Sequence, residues 1–510
     1  MRFLRFQVVV ALMFCLVLMA RADADDVKSS SDTAAEKAEP KASPEAPLRY
    51  RGELRVGEEA VPYRARLSSM EIARNESETK AKVSYTEYLR LGIEDRDSTG
   101  DLCFNGGPGS ASLWLHLGGL SPRRIELLPD ELNPRSWELR PNEGSILDVT
   151  DLVFIDPVST GFSRPEKQEE KGEFHGFDND IDSISEFIRR WTAENGRWAS
   201  PQYVLGESYG GIRGVSIARH LFNKHNYQLE GLILVSPVID FQTIRFSESN
   251  DLPYVMFLPS YAATAWHHDK IDREKFVSLD ALLQEAESFA IGDYATALLL
   301  GDRLGKRERR QIVQRMSELT GLSKVFIERA NLRVSMSRFG KELLRDSGKI
   351  VGRFDGRFTS PTWDHTGEGT EFDPSGSFIS GAFTEALQQY YFDEFKLRDP
   401  KRYAVSGDVH PWDYSRFEGR FANGADALRE TMTEQPNLRV LFTLGYTDLA
   451  TPYMGSLHTI SHLDVPPAIR SNIQTTFYDA GHMMYLRKSE QTRLKVDLDK
   501  FYAGDAEVAK

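Results

Sequence analysis

Gly206-Glu207-Ser208-Tyr209-Gly210, which follows the apolar run Tyr203-Val204-Leu205, is the stretch of this sequence that decides the fold. Such a short apolar run is typical of a buried strand, and residues 214–222 beyond it have helical spacing. A serine at a tight turn between a strand and a helix projects its hydroxyl beyond the sheet. The flanking glycines fit, because neighbouring backbone crowds such a turn. The stretch therefore predicts a nucleophile at Ser208, and an ordinary glycine-bounded strand end is the alternative.

On both sides of this stretch, strand and helix patterns alternate. Residues 50–91 resemble antiparallel strands, and residues 180–191 have helical spacing. Short apolar runs bounded by turn residues are typical of interior strands in a largely parallel sheet. They lie at Leu102–Phe104, Leu152–Ile155, Leu232–Val235, Arg439–Thr443 and Thr475–Tyr478. Together with the serine turn, this alternation predicts an α/β-hydrolase fold with a mainly parallel central sheet and a helical cap insertion.

The domain organisation follows from where these patterns begin and end. Residues 48–245 are predicted to form the first part of the hydrolase core, and residues 436–510 its second part. Residues 246–435 are predicted to be a cap or insertion, helical over about 268–345, where Leu, Ala, Glu, Arg and Lys dominate. Residues 25–47 contain almost nothing apolar, so they cannot bury enough surface to offset the entropy of ordering and are predicted to be a disordered linker.

The first 24 residues have the pattern of a secretory signal peptide. Arg2 and Arg5 precede the uncharged apolar run Val8–Ala20, and small residues at Ala22 and Ala24 predict cleavage after residue 24. The run is short for a membrane-spanning helix, which needs about 20 residues. A lipid anchor on Cys15 is the alternative, although the bulky Phe14 before it argues against one. We expect export to the periplasm or the extracellular medium.

Composition excludes several kinds of partner. The 510-residue chain has a formal net charge of −13 and a pI of about 5.5, whereas nucleic acids and anionic membranes need clustered basic residues. We therefore expect neither nucleic acid binding nor stable membrane association. Cys15 and Cys103 are its two cysteines, and Cys103 is predicted to be a buried apolar residue rather than a catalytic thiol. Paired cysteine ligands and an H-E-x-x-H pattern are missing from the sequence, so we predict no metal and no cofactor.

A serine nucleophile needs a base to take its proton, and in this fold the acid and then the histidine follow the serine along the chain. His482 directly follows a predicted strand, in the loop where the base belongs. Asp448, also just after a strand, could hold the imidazole in the required tautomer. Asp479 is the competing acid, three residues from the histidine. His458 and His462 are spaced like one face of a helix.

The oxyanion that forms during acyl transfer needs two hydrogen-bond donors. The backbone N–H of Tyr209, directly after the nucleophile, is one candidate. The glycine-rich loop Phe104–Ser110 follows a predicted strand and is expected to provide the other donor. A purely structural glycine turn is the alternative for this loop, but its occurrence with the serine turn favours the catalytic role.

Five motifs occur in the order found in one family of peptidases. They are N-G-G-P-G at 105–109, N-P-x-S-W at 133–137, P-V-x-x-G-F-S at 157–163, G-E-S-Y at 206–209 and G-H-M at 481–483. The chain therefore resembles the serine carboxypeptidases over about 50–245 and 437–490. The family's paired cysteines are missing here, which indicates a bacterial-type branch.

The resemblance implies an acyl-enzyme on Ser208 and site roles at matching positions. Gly107 would give the second oxyanion N–H, and Asn105, the backbone of Gly106 and Glu207 would bind the free carboxylate of the substrate. A protonated carboxyl can donate a hydrogen bond to that carboxylate, whereas an ionised one repels it. Glu207 could instead be an acid that favours the start of the following helix.

One departure from the family affects specificity. Familiar members pair a second glutamate with the elbow glutamate, and the matching position here is Gly119. The main hypothesis is a serine carboxypeptidase that removes C-terminal residues from peptides with a free C-terminus. An esterase or acyltransferase with the same triad is the first alternative, and a non-catalytic hydrolase-fold binding protein is the second. The sequence carries no signal for an oligomeric state.

Overall fold

The computed structural model describes residues 46–73, 80–94, 98–132, 134–398 and 401–504. The predicted signal peptide, nearly all of the predicted linker and Asn133 lie outside these residues. Within them, no helix is both long enough and apolar enough to cross a membrane.

A large mixed sheet organises the described residues, and its strand order is β1-β2-β3-β7-β4-β9-β10-β13-β14. These strands are β1 (Leu48–Val56), β2 (Glu59–Ala73), β3 (Lys80–Arg90), β4 (Gly100–Phe104), β7 (Asp151–Ile155), β9 (Gln202–Glu207), β10 (Gly231–Val235), β13 (Arg439–Gly445) and β14 (Ile473–Tyr478). Strand β8 (Arg164–Pro165) pairs with β3. The first strands are antiparallel, and all pairs from β7 to β14 are parallel.

Two-stranded ribbons and helices surround this sheet. The ribbons are β5 (Arg123–Leu128) with β6 (Ser136–Pro141), and β11 (Lys349–Val351) with β12 (Thr359–Pro361). Helices within the predicted core are α1 (Leu113–Leu115), α2 (Phe177–Glu194), α3 (Gly210–His225), α12 (Tyr453–Ser461), α13 (Pro467–Arg470) and α14 (Lys488–Ala503). Short turns of 3-10 or π-helix add His116–Leu120, Gln168–Phe174, Phe241–Thr243 and Met484–Leu486.

Between β10 and β13 the chain is mostly helical. The helices there are α4 (Leu252–His267), α5 (Leu279–Phe289), α6 (Ala295–Leu300), α7 (Lys306–Thr320), α8 (Lys324–Arg329), α9 (Met336–Glu342), α10 (Pro374–Asp393) and α11 (Ala425–Glu434). Short π- or 3-10 turns lie at Ala290–Tyr294, Gly301–Arg303, Arg345–Ser347 and Ser415–Phe417. The sequence predicts helix over 324–334, but α8 ends at Arg329, because Asn331 and Leu332 adopt positive φ.

The core lies on both faces of the sheet. Successive side chains of a strand point to opposite faces, so Val204 and Leu205 of β9 belong to two different apolar clusters. Leu232 and Ile233 of β10 divide in the same way, and all four are fully buried. This burial on both faces explains why the interior strands are continuous apolar runs.

The parallel strands also determine where the functional residues meet. Strands β4, β9, β13 and β14 all run in the same direction, so their carboxyl ends share one edge of the sheet. Asn105 and Ser208 follow β4 and β9 directly, and Asp448 and His482 lie a few residues beyond β13 and β14. Ligand sites of open α/β sheets form at this edge.

Candidate active site

Ser208 stands on a sharp turn between β9 and α3. Its φ of 63° lies in the left-handed region, which a non-glycine residue adopts only when its surroundings hold it there. The Ser208 N–H donates to Val235 O at 3.0 Å, and its carbonyl accepts from Gly211 N at 2.8 Å and Val238 N at 3.1 Å. These bonds to β10, to the loop after it and to the first turn of α3 fix the backbone that presents the Ser208 hydroxyl.

His482 and Asp448 form a buried pair. Nδ1 of the imidazole lies 2.7 Å from Asp448 Oδ2. The other carboxylate oxygen, Oδ1, accepts from the backbone N–H groups of Ala450 at 2.7 Å and Thr451 at 2.9 Å. The Thr451 hydroxyl also lies 2.8 Å from Oδ2 and 3.0 Å from Nδ1. With Nδ1–H turned toward this carboxylate, Nε2 is left free to accept a proton.

The environment of His482 favours the predicted role as a base. Burial lowers its pKa, but the negative charge of Asp448 and its hydrogen bond outweigh burial, so the pKa lies above the ordinary histidine value. Ser208 and His482 line the same cavity. Ser208 Oγ makes no hydrogen bond to any residue that the structure describes, including the His482 ring. Such serine–imidazole contacts often tighten only when a substrate binds.

A short segment of the predicted insertion, residues 353–357, contacts both the Asp448 loop and the His482 loop; we call it the strap. The carbonyl of Phe354 accepts from His482 N at 2.6 Å, and the carbonyl of Arg353 accepts from Leu449 N at 3.1 Å. Asp355 joins the same two loops through its side chain, which accepts from Thr447 Oγ1 at 2.8 Å and Gly481 N at 3.1 Å. The insertion therefore helps to build the acid–base pair.

Asp355 has a buried cation as its counterion. Arg357 Nη2 lies 2.6 Å from Asp355 Oδ2, and both side chains are nearly inaccessible to solvent. Burial raises the pKa of Asp355, but the Arg357 charge and the hydrogen bonds lower it further, so its pKa lies below the ordinary value. An ionised Asp355 can accept all of its hydrogen bonds at once.

The predicted oxyanion loop lies directly against the serine turn. A Cβ added to Gly106 would overlap the backbone N of Tyr209, so only glycine allows this approach. The buried Arg213 of α3 fixes the loop from below, donating to Asn105 O at 2.5 Å while its Nε bonds Asp180 at 2.7 Å. Gly106 and Gly107 line the cavity beside Ser208.

Glu207 and Asn105 form the polar floor of the cavity. Asn105 Oδ1 accepts from Leu115 N at 3.1 Å, which turns its amide nitrogen toward Glu207, and Nδ2 donates to Glu207 Oε1 at 2.8 Å. The Tyr485 hydroxyl donates to Oε2 at 2.6 Å. Burial raises the pKa of Glu207 to about 7, against the lowering effects of the His482 charge and of both hydrogen bonds. Glu207 can therefore carry a proton at mildly acidic and neutral pH.

Tyr485 occupies the neighbourhood of Gly119, the position where a second glutamate was expected from the family pattern. Its ring packs on Gly118 and Gly119, and a Cβ at Gly119 would lie 2.8 Å from Tyr485 Cβ. No carboxyl group from that position faces Glu207. In place of a second carboxyl, a phenol from the segment after His482 contacts Glu207.

The cavity itself is small and mixed in character. Its volume is about 190 Å³, and apolar side chains cover much of its wall. The cation that lines it is Arg353, whose charge lowers the pKa of His482. The apolar lining residues are Trp114, Phe354, Ile379 and Met483.

Other residues considered from the sequence lie elsewhere. Asp479, the competing acid, pairs with Arg487 at 2.6 Å. The rings of His458 and His462 contact one another in a tilted arrangement, with centroids 4.0 Å apart. Cys103 is fully buried, and burial raises its thiol pKa well above the ordinary value. Within the described residues, no cluster of three or more His, Cys, Asp or Glu side chains is arranged to hold a metal.

A family model matches part of the chain. Residues 101–332 match the sequence model described as serine carboxypeptidase. Over these residues the chain is similar to the serine carboxypeptidases. The match contains the Asn105–Gly109 loop and Ser208, and it ends before Asp448 and His482. The prediction of the family, and with it of a serine-type hydrolase, is confirmed.

A solved carboxypeptidase structure has a similar fold. Kex1(delta)p, a prohormone-processing carboxypeptidase from Saccharomyces cerevisiae, is 16% identical with a TM-score of 0.52, and the match covers 87% of this chain and 92% of that chain. Proline iminopeptidase from Mycobacterium smegmatis is 14% identical with a TM-score of 0.36, covering 86% and 99%. No curated protein sequence matches the chain. The predicted α/β-hydrolase fold is confirmed.

Sequence reasoning missed the residues that support the site. Thr451 follows Asp448 by only three residues, and its hydroxyl could have been anticipated as a local partner of that acid. Asp355, Arg213 and Tyr485 act across at least 92 residues of chain. Their roles had no local signal, except that Gly119 left Glu207 without an expected partner.

Proposed function

We propose that this protein is an exported serine carboxypeptidase that removes C-terminal residues from peptides through an acyl-enzyme on Ser208. The observation that carries the proposal is the buried Asn105–Glu207 pair beside Ser208 in one cavity. A triad alone serves any acyl transfer, whereas a protonatable acid and an amide next to it suit a substrate whose leaving group ends in a carboxylate.

In the proposed acylation step, His482 Nε2 takes the proton of Ser208 Oγ as this oxygen attacks the carbonyl carbon of the last peptide bond. Asp448 stabilises the imidazolium that forms. The backbone N–H groups of Gly107 and Tyr209 are the proposed donors to the oxyanion, and loss of one such donor typically costs about 3–4 kcal/mol in the transition state. His482 then protonates the leaving amine, and the C-terminal amino acid departs.

Deacylation follows the same path with water as the nucleophile. His482 takes a proton from water, the hydroxide attacks the ester carbonyl on Ser208, and the collapsing intermediate returns the proton to Ser208 Oγ. The shortened peptide leaves with a new C-terminal carboxylate.

Recognition of the terminal carboxylate is the proposed role of Asn105, Gly106 and Glu207. Protonated Glu207 can donate to the substrate carboxylate, and the second N–H of the Asn105 amide provides another donor. With a pKa of about 7, Glu207 retains this proton under mildly acidic conditions. We assign the cavity of about 190 Å³ to the side chain of the departing C-terminal residue.

Export to the periplasm or the extracellular medium is part of the proposal and rests on the signal pattern of residues 1–24. The absence of a cysteine pair in the exported chain fits the bacterial-type branch proposed from the motifs. Comparison of the N-terminal residue of the protein recovered from cells and from medium tests cleavage after Ala24.

The experiment for the catalytic proposal uses two peptides of the same sequence, one with a free C-terminus and one amidated. Mass spectrometry of the products should show a ladder shortened from the C-terminus for the free peptide and nearly none for the amide. Ser208→Ala is the matched control and should yield no ladder. Internal cleavage, or equal cleavage of both peptides, would contradict the proposed exopeptidase.

An esterase or acyltransferase with the same triad is the second candidate, and Gly119 is the observation that favours it. Without a second carboxyl beside Glu207, specificity for a free carboxylate rests on fewer groups. Rapid hydrolysis of small esters without any peptide ladder would favour this candidate. A folded protein that neither hydrolyses esters nor reacts at Ser208 would instead be a non-catalytic binding protein.

A further inference from the structure

Glu207 has two direct side-chain partners in the described residues, and both donate hydrogen bonds to it. Asn105 Nδ2 donates to Oε1 and the Tyr485 hydroxyl donates to Oε2. Burial, and next the charge of Glu207, raises the pKa of the Tyr485 hydroxyl well above the ordinary value, so it remains a donor. When Glu207 takes up a proton, that proton is left to point into the cavity, where a substrate carboxylate is expected.

A side chain at position 119 would crowd Tyr485. A Cβ at residue 119 would lie 2.8 Å from Tyr485 Cβ and 2.9 Å from the first ring carbon, and a Cβ at Gly118 would overlap the ring. The two glycines therefore create the space through which Tyr485 reaches Glu207. This juxtaposition joins residues 278 positions apart in the sequence.

We propose that Tyr485 is a positioning residue that holds Glu207 for recognition of the terminal carboxylate of the substrate. The pH range of substrate binding then depends on one carboxyl group and a phenol, instead of on two carboxyl groups. The inference rests on the proposed function of Glu207. Because the phenol donates to Glu207, it favours the ionised carboxylate and lowers the pH at which Glu207 loses its proton.

Two other charged groups face Glu207. The positive charge of His482 lowers the pKa of Glu207 and the negative charge of Asp448 raises it. His482 must be neutral to act as the base, whereas Glu207 must be protonated to donate to the substrate. The two groups therefore set opposite limits of the pH profile for a free-acid substrate, whereas a substrate without a terminal carboxylate needs only His482.

The experiment compares kcat/KM against pH for an N-blocked dipeptide with a free C-terminus and for an N-blocked amino-acid ester. For the wild type, the free-acid profile should fall at high pH, and the ester profile should show no such fall. In Tyr485→Phe, which removes only the hydroxyl, the fall for the free acid should move upward by about one pH unit. This shift corresponds to the loss of one hydrogen bond to a charged group.

A second variant and a matched control separate this role from a structural one. Gly119→Ala keeps the phenol but crowds Tyr485. It should also move the high-pH decline in kcat/KM for the free acid upward. Tyr453→Phe removes another buried tyrosine hydroxyl, bonded to Glu287 at 2.7 Å outside the site, and should leave the fall in place.

The outcomes are distinguishable. The inference would be overturned if the high-pH decline in kcat/KM for the free acid stays at the wild-type pH in both Tyr485→Phe and Gly119→Ala, even if overall rates decrease. An equal shift of the high-pH part of the kcat/KM profile for the free acid and for the ester would also overturn it, because the ester has no carboxylate to recognise. Complete lack of free-acid cleavage in the wild type would instead refute the proposed function.

Discussion

Replacement of Glu207 by Gln should abolish a large decrease in the free energy of unfolding that burial of this carboxyl causes as pH rises. The pKa of Glu207 is raised from 4.5 to about 7, chiefly by burial. At about 1.4 kcal/mol per pH unit, the difference amounts to roughly 3 kcal/mol in the free energy of unfolding.

The sign follows from the two pKa values. Below about pH 4.5, Glu207 is protonated in both the folded and the unfolded chain. Between 4.5 and 7 the unfolded chain releases this proton while the folded chain retains it, so rising pH favours unfolding. Above 7 both states are ionised, and no further stability is lost through this group.

Urea denaturation of the wild type and of Glu207→Gln, at half-unit steps from pH 4 to 8.5, measures this effect. The stability of the Gln variant relative to the wild type should increase by roughly 3 kcal/mol across the window, whatever their offset at low pH. Ser208→Ala retains Glu207 and is the matched control, which should follow the wild-type trend. A difference between Glu207→Gln and wild type that stays constant within about 1 kcal/mol from pH 4 to 8.5 would refute the reasoning.

Three further predictions concern the acid–base pair and the strap. Ester hydrolysis should decline as pH falls through a value above about 6.5, because the base is active only when His482 is neutral. Asp448→Asn should lower this pH value and reduce kcat by about 10⁴-fold. An unchanged pH profile in this variant would contradict a role for the Asp448–His482 pair. Arg353→Gln should move the same decline to higher pH, since the Arg353 charge lowers the pKa of His482; movement to lower pH would contradict the assigned geometry. Asp355→Asn should destabilise the protein by about 3–5 kcal/mol in urea, because Arg357 loses its buried counterion, and a loss under 1 kcal/mol would contradict a structural strap.

The serine turn and the interior strands could be predicted because their signals are local. β9 and the start of α3 flank Ser208 within a few residues, and continuous burial makes the parallel strands conspicuous as apolar runs. The sheet edge followed from this pattern, because residues after parallel strands meet at one edge. Asp448 and His482 were therefore predictable as neighbours, although 34 residues separate them.

The remaining features depend on contacts between distant segments. Helix α10 (Pro374–Asp393) was not assigned from the sequence, because glycine and serine weaken its helical pattern and tertiary packing of residues such as Phe383 and Leu387 stabilises it. Asp355 looks like an ordinary loop acid until the fold brings it against Gly481. Long-range pairs of this kind leave no periodic signal in the sequence.

Reaction with a fluorophosphonate probe, followed by peptide mapping, tests most directly whether Ser208, His482 and Asp448 act in series. Wild-type protein should take up one label per chain on the peptide that contains Ser208, and folded Ser208→Ala should take up none. Labelling of His482→Ala should be slower by several orders of magnitude, because the serine then lacks its base. A folded wild-type protein that stays unlabelled at Ser208, or a His482→Ala variant that labels at the wild-type rate, would contradict the account.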